Sequence, residues 1–223
     1  VGAMSDVIIT VRGEHELRVA PERATVHLSV SLEGPDRQVV VERTLALAAP
    51  VRDGIVARQD AGSVTAWTSQ RLSIQADRPW NNEGKRMAPV YRASVDFTAT
   101  FSDLSEMSVW TTEVSGWDGV TIGYVDWHLT PETESEVKRE VATQAVGVAV
   151  SRARAYALAL GLQNVTALEI ADRGLISEAG APAPMQAKAL RGAAFDMAAT
   201  PAMEFQGEEI TVSATVEARF AAN

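Results

Sequence analysis

Asp126 and His128 stand two residues apart in Gly123-Tyr124-Val125-Asp126-Trp127-His128, where Val125, Trp127 and Leu129 alternate with polar neighbours. Successive side chains of a strand leave opposite faces, so this spacing puts a carboxylate and an imidazole on one face. Such a pair can share a metal ion, or work as a base and its orienting partner. A structural or catalytic metal site needs three or four protein ligands. No others stand beside these two, and His27 or His15 could join only if their strands were neighbours. Asp126 and His128 therefore read first as a solvated strand face, with a metal or small-molecule site of weak activity, in a pocket between helix and sheet, as the alternative. Ser29 and Ser31 also share a polar strand face, without a visible base. The chain carries no glycine-rich phosphate loop, nucleophile elbow or metalloprotease helix motif. On these residues the non-enzymatic reading is preferred, with no catalytic residue assigned and no cofactor expected.

A second group is chemical in another sense. The stretch Pro79-Trp80-Asn81-Asn82-Glu83-Gly84-Lys85-Arg86 joins a tryptophan to two cations, with Arg78 just ahead, between two runs that alternate as strands. Asn-Asn-Glu-Gly supplies turn chemistry, so the stretch is expected to be a hairpin tip. Trp80 and Trp117 fall in turns, where an exposed ring serves as a contact surface; Trp67, Trp110 and Trp127 read as packing residues. Arg152 and Arg154 are roughly 200° apart on a helix and form no common patch.

Composition bounds what these groups can serve. The chain has 223 residues, no cysteine and a formal net charge of −9. Disulfides, thiolate metal sites and cysteine nucleophiles are excluded. The acidic balance disfavours nucleic acid and anionic membrane surfaces. No apolar run reaches the roughly 20 residues that a membrane-spanning helix needs. Val1 to Ala3 read as an expression-tag remnant and Met4 as a native start, which predicts a cytoplasmic protein. An export signal already removed is the alternative.

The elements that must position these groups follow from periodicity. Val7 to Val11 alternates as a strand, and Gly13 is expected to mark a bend or bulge. Ala24, Val26, Leu28, Val30 and Leu32 form one face of a second strand. Asp36 can cap a helix with the stripe Val40, Thr44, Leu47, Val51 and Ile55. Pro50 predicts a kink or break near Ala49. Ser63 to Ala76 and Tyr91 to Phe101 alternate as the strands of the hairpin. Ser102 or Asp103 starts a helix, and Ile122 to Leu129 is a strand. A long helix begins at Thr130-Pro131 and stops at Gly161. Its expected stripe runs through Val137, Val141, Gln144/Ala145, Val148, Arg152, Ala155 and Ala159. Asn164 to Arg173 is a strand, the Ala-, Pro-, Gly- and Met-rich residues 177–206 read as a long loop or a partly ordered arm, and Ile210 to Phe220 alternates to the end. Hairpins separated by helices predict an α+β fold, mostly antiparallel sheet with helices on one face.

Several stretches together resemble one family. Gly13, Pro21, Glu22 and Ala24 occupy the places of its opening signature; Tyr91, Ala93, Asp103 and Leu104 those of its second; Ala153, Arg154, Ala157, Ala159 and Gly161 fit its alanine-rich helix. The family is the SIMPL domain, which includes bacterial oxidative-stress-defence-like and periplasmic immunogenic proteins. The resemblance covers about residues 6–221, read as a single domain. Val90, after Pro89, stands where the family commonly has glycine, and Trp127 where it commonly has phenylalanine. The resemblance implies the α+β fold, a tendency to form homo-oligomers and an association with oxidative-stress tolerance. It brings no catalytic residues. The expected function is an assembly or interaction protein that touches a second copy or a protein partner. Its contacts are expected at Trp80, Lys85 and Arg86 of the hairpin tip and at Met185 and Phe195 of the arm.

Overall fold

A computed structural model describes residues 7–176 and 207–223. In chain order they form β1 (Val7–Val19), β2 (Arg23–Gly34), α1 (Arg37–Asp60), β3 (Val64–Ser69), β4 (Ser73–Asp77), β5 (Val90–Phe101), α2 (Leu104–Ser115), β6 (Val120–His128), α3 (Pro131–Ala159), β7 (Val165–Asp172) and β8 (Ile210–Ala222). All strand pairs are antiparallel, and the fold is α+β. The described residues divide into two compact units, one spanning 20–130 with 207–208, the other 7–19, 131–176 and 209–223.

In the first unit β2 is central, paired with β5 on one side and β6 on the other. The far edge of β5 carries β3 along one half and β4 along the other. The single strand expected over Ser63 to Ala76 is thus two. Between them Gln70 still donates its N–H to the Asp96 carbonyl at 2.8 Å. The period-2 pattern of β2 works as expected: Ala24, Val26, Leu28 and Val30 are buried. They meet Val51 and Ile55 of α1 and Met107, Trp110 and Val114 of α2 in one core. Phe101 and Trp110 lie there with ring centroids 5.4 Å apart. Each such side chain stabilises the fold by roughly 1.5–3 kcal/mol through removal of apolar surface from water.

Both helices start on the residues expected. The Asp36 carboxylate accepts from Val39 N–H, and Asp103 accepts from Ser105 and Glu106 N–H, satisfying donors that a first helical turn leaves without partners. The short break that Pro50 could cause is absent, because α1 runs unbroken from Arg37 to Asp60. Pro50 sits on the exposed side of the helix, as does Ala46 one turn earlier. Water can therefore serve the carbonyl that loses its helical partner. Trp117, expected as a contact ring, instead packs partly buried against the core.

In the second unit β8 lies between β1 and β7. Its pairing with β1 runs without a register shift from Val7↔Ala222 to Val19↔Ile210. The terminal strand thus finds both its neighbours within its own chain. The bulge expected at Gly13 is not there. Gly13 serves a different need: a Cβ at this position would sit 1.9 Å from the Ala145 carbonyl oxygen and 2.7 Å from the Ala149 nitrogen of α3. The helix backbone lies directly on the strand, which only glycine allows. The buried stripe of α3 is Val137, Val141, Ala145, Ala149, Ala153 and Ala157. It keeps a strict four-residue step, so it winds slowly around the helix and departs from the expected stripe beyond Ala145. Arg152 lies outside it and donates to the Arg12 carbonyl at 2.8 Å. The stop at Gly161 is as read: its φ is +78°, and Leu162 N–H returns to the Ala157 carbonyl at 2.9 Å.

Candidate functional site

The hairpin between β4 and β5 ends in the tip expected from its sequence. Asn81 organises the turn. Its side-chain oxygen accepts from Glu83 N–H at 3.1 Å and from Lys85 N–H at 2.8 Å. Its own N–H donates to the Lys85 carbonyl at 2.9 Å, and Gly84 closes the turn at φ +73°. Below the turn Trp80 and Arg86 form an antiparallel bridge. The Arg86 guanidinium lies over the Trp80 ring, 5.0 Å from its centroid, a cation–π geometry. Trp80 remains 61% exposed and Met87 54%. Lys85 and Arg86 are exposed as well. The tip therefore presents an indole, a thioether and two cations on a hydrogen-bonded frame. Met185 and Phe195, expected to share this contact role, lie outside the described residues.

Asp126 and His128 do leave β6 on one face, yet they do not meet each other in a hydrogen bond. The antiparallel pairing of β2 with β6 gives each a different partner. Asp126 Oδ2 lies 3.0 Å from His27 Nε2. A carboxylate only accepts, so Nε2 carries the hydrogen. His128 Nε2 lies 3.0 Å from the Thr25 hydroxyl, which is 2.9 Å from the Thr100 hydroxyl. His15 belongs to β1, in the other sheet, where it pairs with Ala214. Among the described residues no three His, Asp or Glu side chains gather as metal ligands.

One feature of this face had no signal in the sequence. Val26 pairs with Val125 and Leu28 with Ile122, so two residues of β6, Gly123 and Tyr124, oppose His27 alone. This bulge brings Ile122 to the core side, while the outward residue next to Asp126 on β6 remains Tyr124. Its ring stacks on the His27 imidazole with centroids 4.1 Å apart and planes inclined by 15°. Gly123 makes room, because a Cβ there would meet the His27 carbonyl oxygen at 3.2 Å. Period-2 alternation assumes an unbroken register, and the bulge breaks it. A lone glycine inside a strand pattern is the available hint.

The signature residues of the amino-terminal turn are structural. Glu22 accepts from Thr130 N–H at 2.8 Å and from the Thr130 hydroxyl at 2.9 Å, while its own N–H donates to the His128 carbonyl at 3.1 Å. Ala93 and Ala153 are fully buried. Glu22, Ala93 and Ala153 thus hold the scaffold. Residues 9–220 match the SIMPL family, described as protein of unknown function (DUF541). No curated protein matches the chain.

Proposed function

The chain belongs to the SIMPL family, and on that premise we propose that it acts as a non-enzymatic assembly or interaction protein whose hairpin tip is a contact element. The observation that carries this reading is Trp80, 61% exposed at the end of a hairpin and held under Arg86. Tryptophan and arginine dominate the energetics of protein interfaces. A tip already ordered by the Asn81 hydrogen bonds loses little further entropy when it docks. Its cations stand out on a chain of net charge −9, so the complementary surface is an acidic one, such as that of a second copy. The segment 177–206, with Met185 and Phe195, is the second contact element in this reading. The resemblance to bacterial stress-defence proteins associates such an assembly with oxidative-stress tolerance.

Light scattering after size-exclusion chromatography, over a wide concentration range, tests the proposal. The expected result is an oligomer that the double substitution Trp80→Ala/Arg86→Ala weakens by about 2 kcal/mol or more, with the fold intact. A strict monomer at every concentration would sink the reading of self-assembly. An oligomer untouched by the double substitution would remove the tip from it.

A further inference from the structure

The open face of the sheet formed by β2, β5, β4 and β6 carries a second surface, distinct from the hairpin tip. The register of β2 on β5 builds cross-strand rungs: Thr25↔Thr100, His27↔Thr98, Ser29↔Asp96, Ser31↔Ser94 and Glu33↔Arg92. β4 extends two of them, through Ser94↔Ser73 and Arg92↔Gln75. The rungs at either end are satisfied within the protein. Thr25 bonds Thr100 and His128, Thr68 bonds Thr98 at 2.7 Å, His27 bonds Asp126, and Arg92 pairs with Glu33. The middle rungs differ. The side chains of Ser29, Ser31, Ser73, Gln75, Ser94 and Asp96 form no hydrogen bond or ion pair among the described residues. Together with Arg92, the four serines and Gln75 line a groove of about 250 Å³.

At the β6 side of this face stands the Tyr124 ring, 60% exposed and backed by His27. Alternate residues of a strand are roughly 7 Å apart, so Ser29 lies one such step and Ser31 two steps along β2 from the platform. The surface therefore combines a supported aromatic ring, hydroxyls that both donate and accept, an amide, and the unpaired carboxylate of Asp96.

That combination selects a chemistry. Arg92 is held by Glu33, and Asp126 accepts from His27, which leaves Asp96 as the carboxylate of the middle rungs without a partner among the described residues. With a net charge of −9, phosphates and acidic polymers are repelled. An apolar ligand would strand the serine hydroxyls against a surface that cannot bond them. A hydroxyl-rich neutral ligand satisfies them, and the C–H face of a pyranose can lie on the tyrosine ring while its hydroxyls meet the serines, Gln75 and Asp96. We propose that this face binds a neutral oligosaccharide, laid along β2 from Tyr124 to the Ser31–Ser94–Ser73 rung.

Native affinity electrophoresis of the full chain in gels containing hydroxyethylcellulose, glycogen, galactomannan or xylan tests it, with dextran sulfate as the anionic arm. At least one neutral polysaccharide should retard the protein. Tyr124→Ala and Ser94→Val should each weaken that retardation about tenfold. Asp96→Asn, equal in size, should weaken it too, and it keeps the test open if Ser94→Val disturbs the sheet. Trp80→Ala/Arg86→Ala should retain full retardation, which separates this site from the assembly surface. No retardation in any neutral gel, retardation indifferent to all three substitutions on the face, or retardation by dextran sulfate alone would each overturn the proposal.

Discussion

The two helix–sheet interfaces of this chain are built on opposite rules. Where α3 meets β1 and β8, the helix offers Ala145, Ala149, Ala153 and Ala157, and the strand answers with Gly13. Where α1 and α2 meet the other sheet, the helices bring Ile55, Met107 and Trp110 against Phe97 and Phe101. The first holds its layers at backbone contact and has no room to add an atom. The second fills a wider gap with large side chains, and its stability depends on none being removed. Both are close-packed, but they fail in opposite directions.

The largest effect should follow from the smallest addition. Gly13→Ala places a methyl where the Ala145 carbonyl already stands, and no rotamer moves it aside. A cost of about 3 kcal/mol or more is expected, at the upper end for overpacking. Of a total stability of about 5–15 kcal/mol this is a large share. Urea unfolding would measure it, and hydrogen exchange would show protection lost first in β1 and α3. Loss confined to the other unit would break the comparison. One step down, Ala153→Val adds two methyls at a site with no exposure. About 2 kcal/mol is expected, because a side chain at Ala153 points between the layers, whereas a Cβ at Gly13 meets the helix backbone itself. Equal costs at the two positions would mean that the whole stripe, and not Gly13 alone, sets the approach.

The opposite interface should respond to subtraction, and mildly. Ile55 is fully buried under α1. Ile55→Val removes one methylene and should cost about 1 kcal/mol, read from the urea midpoint at an unchanged slope. A cost above that of Gly13→Ala would invert the comparison outright.

What the sequence disclosed follows the range of each interaction. Asp36 and Asp103 were legible as caps because donor and acceptor lie within three residues of one another. The buried faces of β2 and β5 were legible because period 2 is a local property. The same reasoning failed where a distant segment decides. Gly13 looked like a bulge because α3, which needs its missing Cβ, begins over a hundred residues later. Pro50 looked like a break because the pattern alone does not say that its side of the helix meets water. At the candidate sites the division is the same. The turn of the hairpin tip was readable from Asn81 to Gly84, whereas the stacking of Arg86 on Trp80 depends on a bridge that composition does not signal. His27 and Asp126 are 99 residues apart, and only the pairing of β2 with β6 makes them neighbours. Tyr124 shares the outward face of Asp126 by alternation alone, but its stacking on His27 needs the pairing of β2 with β6. The unsatisfied middle rungs of the open face needed the register of three strands at once.

The smallest effect belongs on the solvent side of α3, and it tests whether that helix is sensitive only where it touches the sheet. Lys138 follows Glu134 by one turn and pairs with it. Its ammonium hydrogen-bonds the Glu134 carboxyl and, through its charge, holds the pKa below the usual glutamate value. A lowered folded-state pKa contributes stability that is present above the unfolded value and is lost as pH falls through the folded one. The window for this pair therefore lies in the acid range, starting at the ordinary carboxylate value and moving down. Both side chains are exposed, so solvent screens the pair and its contribution at neutral pH is slight. Lys138→Met should leave the urea midpoint at pH 7 within experimental error, and any residual difference should vanish in about 1 M salt, where screening acts within a few ångströms. A difference that persists in salt would mean that the outward face of α3 is packed against something. The contrast between a helix that is intolerant inward and indifferent outward would then no longer hold.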